Sequence, residues 1–473
     1  MPRYTAARLC INLAFLAFIC VYAIQSHAAN LNLDLPQVEL VPASMGKSYD
    51  LDFGIQDEKF SASETQLNGY NNFTEAKLRA KGQASFGGAR FYADLGASYS
   101  LNVSSYGTGY VPELYFSYSG QNFELSLGRR FINWNTLDSY WQLGLWQTQF
   151  KWNYVQPVEQ GLFGVNFDLH TSDWKLMAYA SPLFVPEQSA PFTLSNGLVS
   201  SPSPWFSPPA KYVQLFSGRA NINYNLETPS TSSVVSQFSY GGAIQWNPKP
   251  FSIKISYVYK PRNTLALPVD GYLALQPGGS NAPVYIYPRV IFHQLASLDL
   301  NYQVKDFSIW FSGLSETQDK QNYESNLTYQ ILSNQVLLSP GFEWQPFASL
   351  YSPRIGASYL YQSGGDVSEV GTLSSAGSSI FSYPINFRNA SQLRIAQPIL
   401  RASDQRLDFN VKWIEEFHDP SSLLMLELNY QLKTYNFYLG ADLLGSGAPA
   451  SNSGFLPRYR DNSFAYAGAK LHF

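Results

Sequence analysis

The feature that most constrains the fold is a strict alternation of apolar and polar residues in long runs. The runs 251–260, 406–413 and 424–433 show it most clearly. A period of two places successive side chains on opposite faces of a β-strand. The runs last about 9–15 residues, whereas soluble strands average about five or six. A tilted strand that crosses a bilayer needs about 9–11.

The composition favours a membrane barrel over a soluble sandwich, which alternation alone cannot separate. Only 14% of the residues are charged and 16% are aromatic, whereas soluble domains have about 25% charged residues. The mean hydropathy of −0.17 is too polar for a bundle of membrane helices. After the N-terminus, no apolar run approaches the roughly 18 residues of a spanning helix. We therefore predict an all-β fold, a transmembrane antiparallel β-barrel that is apolar outside and polar inside.

The last residues strengthen this prediction. Phe473, Leu471 and Ala469 share one face of a final strand, and His472 and Lys470 share the other. This pattern resembles the terminal strand of bacterial outer-membrane proteins, which the barrel assembly machinery recognises. The resemblance implies a barrel in the outer membrane of a Gram-negative cell, in contact with lipid and lipopolysaccharide. Pairing of this strand with the first would leave no open sheet edge in lipid.

The N-terminus has the pattern of an export signal. Arg3 and Arg8 precede an apolar run, 9–24. Ser26 and Ala28 then place small residues at the two positions that a signal peptidase inspects, so we predict cleavage after Ala28. An uncleaved membrane anchor is the alternative. Both cysteines lie within 1–28, so the mature chain would have neither disulfides nor thiolate chemistry. Without the two arginines, 29 bases face 34 acids, and this balance gives no indication of nucleic-acid binding.

The connections between strands predict about 18 strands, within 16–20. Barrels of this kind have short periplasmic turns and long outer loops. From residue 212 to the end the two kinds alternate, with Phe473 at the periplasmic end. Short connections are expected at 119–121, 171–173, 247–250, 305–306, 345–347 and 433–436, and long ones at 261–288, 315–330, 362–383 and 446–461.

The N-terminal half leaves two alternatives. If 119–121 and 171–173 are both periplasmic, one more strand must be hidden in the proline-rich segment 182–211; otherwise 132–159 lies in the periplasm. A weak strand at 47–55 could open the barrel. We therefore divide the chain into a signal peptide (1–28), an N-terminal extension with a candidate first strand (29–70) and the barrel (71–473).

Assigning the polar face of each strand to the lumen gives a set of candidate pore-lining residues. The excess of bases in this set predicts a modest preference for anions, because a narrow tube focuses the field of its charges. The alternative is that mixed charges merely keep a water-filled wall solvated. The residues are Lys77, Arg79, Lys81, Arg90, Asp94, Glu124, Arg130, Lys254, Lys260, Asp299, Arg406, Asp408, Lys412 and Glu427, with Glu75 as a further acid.

The segment 128–159 is unusual because it holds four of the ten tryptophans. It could fold into the barrel, narrow it and offer indole faces to a ligand; packing at the membrane interface is the alternative. The preceding 127–130 (Leu-Gly-Arg-Arg) resembles the Gly-Arg strand motif of alginate-export and other porin-like barrels, from which no substrate is inferred. The candidate constriction or ligand-binding residues are Trp134, Asp138, Tyr140, Trp141, Trp146 and Trp152.

Catalysis and cofactor binding find little support in the sequence. His293, Ser297 and Asp299 share one face of a strand, but a rise near 3.3 Å per residue separates the first two by about 13 Å. Direct proton transfer needs about 3 Å. We expect no enzyme, catalytic residue or cofactor, and no metal motif of known spacing is present.

Three functions remain open at this stage. The first is a porin-like channel for passive diffusion of small polar solutes, anionic ones among them, along the charged lumen. The second is a surface adhesin, receptor or scaffold barrel with an occluded lumen, in which the outer loops carry the function. The third is an exporter of polysaccharide or lipid, which rests on the Trp-rich segment alone. The sequence does not indicate the oligomeric state.

Overall fold

The computed structural model describes residues 47–62, 70–103, 106–215, 218–271, 274–276, 279–320, 324, 327–347, 349–370, 386–447 and 454–472. The predicted signal peptide, the stretch 29–46 and Phe473 lie outside the described residues.

Eighteen antiparallel strands of 8 to 15 residues form one closed sheet. Each strand pairs with its neighbours in sequence, and the last strand pairs with the first, with Asp52 opposite His472 and Phe60 opposite Phe464. The predicted strand number and ring closure are confirmed. The strands are Lys47–Phe60 (β1), Asn72–Phe86 (β2), Ala89–Ser100 (β3), Gly107–Ser119 (β4), Phe123–Arg130 (β5), Leu162–His170 (β6), Trp174–Ser181 (β7), Ser239–Trp246 (β8), Phe251–Pro261 (β9), Phe292–Val304 (β10), Phe307–Gln318 (β11), Gln335–Trp344 (β12), Arg354–Gly364 (β13), Ala390–Arg401 (β14), Gln405–Glu416 (β15), Ser421–Leu432 (β16), Tyr435–Ser446 (β17) and Phe464–His472 (β18).

The sequence alternation becomes an outer and an inner surface. In β11, Phe307, Ile309 and Phe311 are exposed on the outside of the barrel. Trp310 and Ser312, on the opposite face of the strand, are buried inside. Exposed aromatic side chains concentrate near both ends of the outer surface, as in the interfacial girdles of membrane barrels. They are Phe86, Tyr118, Trp174, Trp246, Phe251, Tyr302, Phe307, Trp344 and Tyr435 at one end, and Tyr70, Tyr99, Phe238, Tyr240, Tyr257, Tyr359, Tyr361 and Phe417 near the other.

The connections at the two ends differ in length as predicted. We term the end with the short ones periplasmic, since both ends of the chain's barrel lie there. The short connections are 87–88, 120–122, 171–173, 247–250, 305–306, 345–353, 402–404 and 433–434. Those at the extracellular end are 61–71, 101–106, 131–161, 182–238, 262–291, 319–334, 365–389, 417–420 and 447–463.

The N-terminal half follows neither of the predicted alternatives. The turns near 120 and 172 are both periplasmic without a barrel strand in 182–211, and 131–161 enters from the extracellular end. The count closes because the barrel alternation resumes at 239, not at 212. Tyr212–Leu215 instead pairs with Gly218–Leu226, which in turn pairs with Gly279–Ile286, in a five-stranded sheet separate from the barrel. The weak strand expected at 47–55 is the full-length β1.

The described helices are short: Thr136–Trp141 (α1), Thr231–Val235 (α2) and Phe455–Arg458 (α3). Within the described part of the chain, none has the length and apolar character needed to span a membrane.

Candidate functional site: the barrel lumen

The connection 131–161, which we term the inward segment, folds into the lumen instead of over its rim. Its root is set by Gly128, whose φ of +130° interrupts the strand alternation. A Cβ at Gly128 would lie 2.3 Å from the carbonyl oxygen of Leu114, so only glycine fits. The next residue, Arg129, then donates hydrogen bonds to Gly161 O at 2.9 Å and to Gln160 Oε1 at 2.6 Å. These bonds join the two ends of the segment at the wall.

Asp299 on β10 is the main anchor of residues 133–141, which include α1 and which we term the tip of the segment. Its carboxylate accepts hydrogen bonds from Asn135 Nδ2 at 2.9 Å, from Thr136 N at 3.2 Å and from the Ser312 hydroxyl. Lys254 Nζ lies 3.3 Å from Asp299 Oδ2 and donates to the side-chain oxygen of Asn133 at 3.2 Å. The side chains of Lys254 and Asp299 are only 12% and 8% exposed, and together with the start of α1 they form one polar cluster.

Further contacts spread the segment across the lumen. Trp141 Nε1 donates to Ser339 Oγ on β12 at 3.0 Å, and the Arg394 guanidinium on β14 donates to the carbonyl oxygen of Tyr140. Residues 148–161, which we term the returning limb, lead back to the wall. In this limb, Trp152 Nε1 donates to Glu75 Oε1 on β2 at 2.9 Å. On the other side, Asn135 Nδ2 donates to Ser312 Oγ on β11 at 2.8 Å. β2 and β11 are nine strands apart in a ring of eighteen, so the segment bridges opposite walls.

Asp138 shapes the segment from within. Its carboxylate accepts hydrogen bonds from Leu145 N at 3.0 Å and from Trp146 N at 3.1 Å, and its own amide donates to Asn135 Oδ1 at 3.0 Å. Burial raises the pKa of Asp138, although the two amides oppose that change. Burial, followed by repulsion from Asp138, raises the pKa of Glu159 in the returning limb to about 8. The geometry gives Asp138 a folding role as the centre of the turn.

The tryptophans of the segment pack against protein instead of presenting open faces. Trp134 and Trp146 stack on each other at 5.3 Å between ring centroids. Trp141 packs near Phe387, with 6.2 Å between centroids, and Trp152 lies 4.1 Å from the ring of Tyr106. The expected ligand-binding indole faces are therefore used in packing in this arrangement.

One row of the lumen wall near its extracellular end is apolar, and buried polar residues such as Lys260, His293 and Glu316 lie on its extracellular side. We term this apolar row of inward-facing residues the apolar collar. Register places Leu314 opposite Leu337 and Ile414 opposite Leu423. All its members belong to one buried cluster that also contains the tryptophans Trp134, Trp141 and Trp146. The collar consists of Phe60, Phe73, Val258, Leu295, Leu314, Leu337, Leu360, Ile414, Leu423, Leu444 and Phe464.

Below the collar, the structure brings many of the predicted lumen residues together as ion pairs. Arg79 and Asp94 approach within 2.8 Å. Arg130 lies 2.9 Å from Asp168 and 3.6 Å from Glu124. These pairs line the walls formed by β2, β3, β5 and β6.

The remaining predicted residues have more varied surroundings. Lys77 lies 3.3 Å from Glu75, and Asp408 lies 3.0 Å from Arg401. Glu427 accepts a hydrogen bond from the Tyr466 hydroxyl at 3.2 Å. The buried Lys260 donates to Asn263, and Lys412 lies 3.4 Å from Gln142 Oε1 of the segment. Lys81 and Arg90 are half-buried and Arg406 is exposed, all three toward the periplasmic end.

Apolar side chains thus cover the outside of a closed barrel whose inside carries charge. The chain is a closed, 18-stranded transmembrane β-barrel. Sequence reasoning missed several inward-facing charges of this barrel, although their positions on the polar faces of the strands could have revealed them. They include Glu58, Glu113, Glu316, Arg354, Arg394 and Asp442.

Two polar groups of the barrel are relevant to catalysis and metal binding. His293 Nδ1 lies 2.6 Å from Glu316 Oε1 on the neighbouring strand β11, so the hydrogen-bond partner of this histidine is a carboxylate and not the Ser297 hydroxyl. At the β1–β18 seam, His472 Nδ1 lies 2.9 Å from Asp50 Oδ1 and 3.0 Å from Asp52 Oδ1. Among the described residues, this is where three side chains could hold a metal ion. Spacing could not reveal it, because its ligands come from the first and last strands.

Comparison with known proteins adds structural similarity only. No protein-family model and no curated protein matches the chain. The barrel is similar to OccK2 (OpdF) of Pseudomonas aeruginosa, with a TM-score of 0.48 and 10% identity over 90% of this chain and 97% of that chain. For OccAB3 of Acinetobacter baumannii the values are 0.45, 11%, 90% and 99%. For a porin mutant of Rh. blastica they are 0.39, 9%, 90% and 100%. At these identities the likeness concerns the barrel fold alone.

Proposed function

We propose that the protein is an outer-membrane channel for the passive diffusion of small polar solutes. The observation that carries this proposal is a closed 18-stranded barrel with a charged interior, narrowed by its own inward segment. Barrels of 16–18 strands are wide enough to leave an aqueous channel, and an inward loop sets its selectivity. Outer-membrane lipid, lipopolysaccharide and the barrel assembly machinery are the partners that this location implies.

A modest anion preference belongs to the same proposal. It rests on Lys81, Arg90 and Arg406, which are half-buried or exposed near the periplasmic mouth. Other lumen bases, such as Arg79 and Arg130, are paired with carboxylates and contribute less field to a passing ion. We therefore expect a weak selectivity that high salt screens, since the Debye length is about 3 Å at 1 M.

The test is the conductance of the refolded chain from residue 29 onward in a planar bilayer, with the reversal potential measured in a salt gradient. Resistance of the folded barrel to SDS without heating verifies the fold. Discrete openings with an anion-shifted reversal potential are the expected result. A folded protein that never conducts, with or without α1 deleted, would contradict the channel.

A surface receptor or adhesin with an occluded lumen is a second candidate. It is favoured by the five-stranded sheet that the connections 182–238 and 262–291 build outside the barrel. The exporter of polysaccharide or lipid has less support, because the indole faces on which it depends are packed against other side chains. Binding of the folded protein to cells or to phage, without conductance, would favour the second candidate.

A further inference from the structure

The apolar collar is unexpected in a barrel whose lumen should be polar. It extends across strands β9 to β13, β15 to β18, β1 and β2, which is most of the ring. Neighbouring members face each other in register: Leu423 lies opposite Leu444, and Phe464 lies opposite Phe60. Leu295, Leu337 and Leu360 have 0% exposure, so no water reaches these wall positions.

The collar is filled from inside by side chains of several connections. Leu137, Trp141 and Trp146 of the inward segment belong to the same buried cluster, as do Trp205 of the connection 182–238 and Leu456 of α3. Trp205 lies 6.2 Å from Phe464 of the collar, ring to ring. At the level of the collar, the lumen is therefore packed like a protein core.

The sector β3–β8, which the collar does not cover, is closed by the root of the segment. Phe150 stacks on Tyr110 of β4 at 4.7 Å, and Arg129 donates to Thr148 Oγ1 at 3.0 Å. Trp134 meets Tyr179 of β7 edge to face at 5.9 Å. Aromatic contacts and hydrogen bonds hold this side, whereas the tip is held by the polar cluster at Asp299 together with apolar contacts in the collar.

We propose that the apolar collar and the inward segment form a hydrophobic gate, which keeps the lumen closed at its extracellular end. Water and ions are excluded by an apolar constriction, and solutes cross when the tip of the segment leaves the collar. The segment stays attached through its root at Arg129 and Gly161. This inference rests on the proposed channel function and assigns its regulation to the collar.

The test compares single-channel recordings of the wild-type chain and two variants of adjacent residues on β12. Leu337→Asn places a polar side chain in the collar, and Val336→Asn is the matched control, because Val336 faces outward and is 43% exposed. Both variants must show the SDS resistance of a folded barrel. We expect the wild type and Val336→Asn to be closed for most of the recording. Leu337→Asn should conduct severalfold more of the time, because it hydrates the collar.

A second variant tests the movement itself. Asn135→Cys with Ser312→Cys joins the tip to the wall where the native side chains are 2.8 Å apart, in a chain that has no other cysteine after residue 20. Oxidation should abolish the openings of the Leu337→Asn background, and a reductant should restore them.

The outcomes separate the gate from the channel. Equal, steady conductance in the wild type and both β12 variants overturns the gate and leaves the channel intact. Openings that persist in the oxidised double cysteine variant also overturn the gate. Silence of every variant, including a chain without α1, overturns the channel and the gate together.

Discussion

Replacing Asp299 by alanine should release the tip of the inward segment. The change removes the acceptor for Asn135 and Thr136 and leaves Lys254 buried without its carboxylate partner. Removing one member of a buried ion pair costs about 3–5 kcal/mol. At about 1.4 kcal/mol per tenfold, the population of the released segment should rise by a factor of roughly 100 to 4,000.

Hydrogen exchange at the amides of Leu145 and Trp146 measures this release. These amides donate to Asp138, not to Asp299, so their exchange reports opening of the segment and not the loss of their own acceptor. We expect their exchange in Asp299→Ala to accelerate by the same factor. Part of the free-energy cost of Asp299→Ala comes from Lys254, whose charge is left without a carboxylate partner. Lys254→Met in the same chain should therefore recover part of the protection.

Asp94→Ala is the control, since Asp94 pairs with Arg79 on the β2–β3 wall at 2.8 Å. It should leave the two amides unchanged. Exchange in Asp299→Ala at the wild-type rate would refute the reasoning, because the segment would then be held without its polar anchor.

Three further predictions concern pH and backbone geometry. In the folded chain the pKa of Glu159 is raised from its ordinary 4.5 to about 8. Protection of the segment against hydrogen exchange should therefore fall as the pH rises from 4.5 to about 8. Glu159→Gln should remove this pH dependence, and a variant that keeps the wild-type pH profile would contradict the prediction. Gly54→Ala places a Cβ 2.9 Å from Lys470 Cγ and 3.0 Å from a backbone oxygen at the β1–β18 seam, so it should lower the temperature at which SDS unfolds the barrel, whereas Gly82→Ala, with its nearest atom at 3.9 Å, should not. Gly128→Ala, at φ +130°, should cost at least about 1–3 kcal/mol in denaturant unfolding; wild-type stability would show that the root of the segment adapts.

The strands could be predicted from sequence because each is specified locally. In β16, Leu424, Leu426 and Leu428 alternate with Glu427 and Asn429 over a span long enough to cross a bilayer, and no distant residue is needed to recognise it. The same locality misled the count near 212–226: the strand Gly218–Leu226 alternates like a barrel strand but pairs with Gly279–Ile286 in a separate sheet. Period alone does not distinguish a strand in lipid from one in an outer sheet.

The interior could not be predicted in this way. Leu337 and Ser339 are consecutive inward-facing residues of β12. The distant Trp141 donates a hydrogen bond to Ser339, and β12 alone gives no reason for one residue to be apolar and the other to be an acceptor. The pore-lining set predicted from the sequence contains more bases than acids, because inward-facing acids such as Glu113 and Asp442 lie outside the clearest alternating runs. The tryptophans stand out in the sequence because four of the ten lie in one connection, but the sequence does not show which side chains they contact.

The anchors of the inward segment also dictate an order of assembly. Asn135 and Asp299 are 164 residues apart in the chain, Trp141 and Ser339 are 198 apart, and Gln156 and Asp442 are 286 apart. Contacts between such distant residues form late, since the intervening chain must first be ordered. The segment can therefore settle only after most of the wall exists, and a newly inserted barrel passes through a stage in which its interior is still hydrated. With the proposed gate, such a newly inserted barrel would conduct ions without control until the segment settles, and gating would begin only with that last step of assembly.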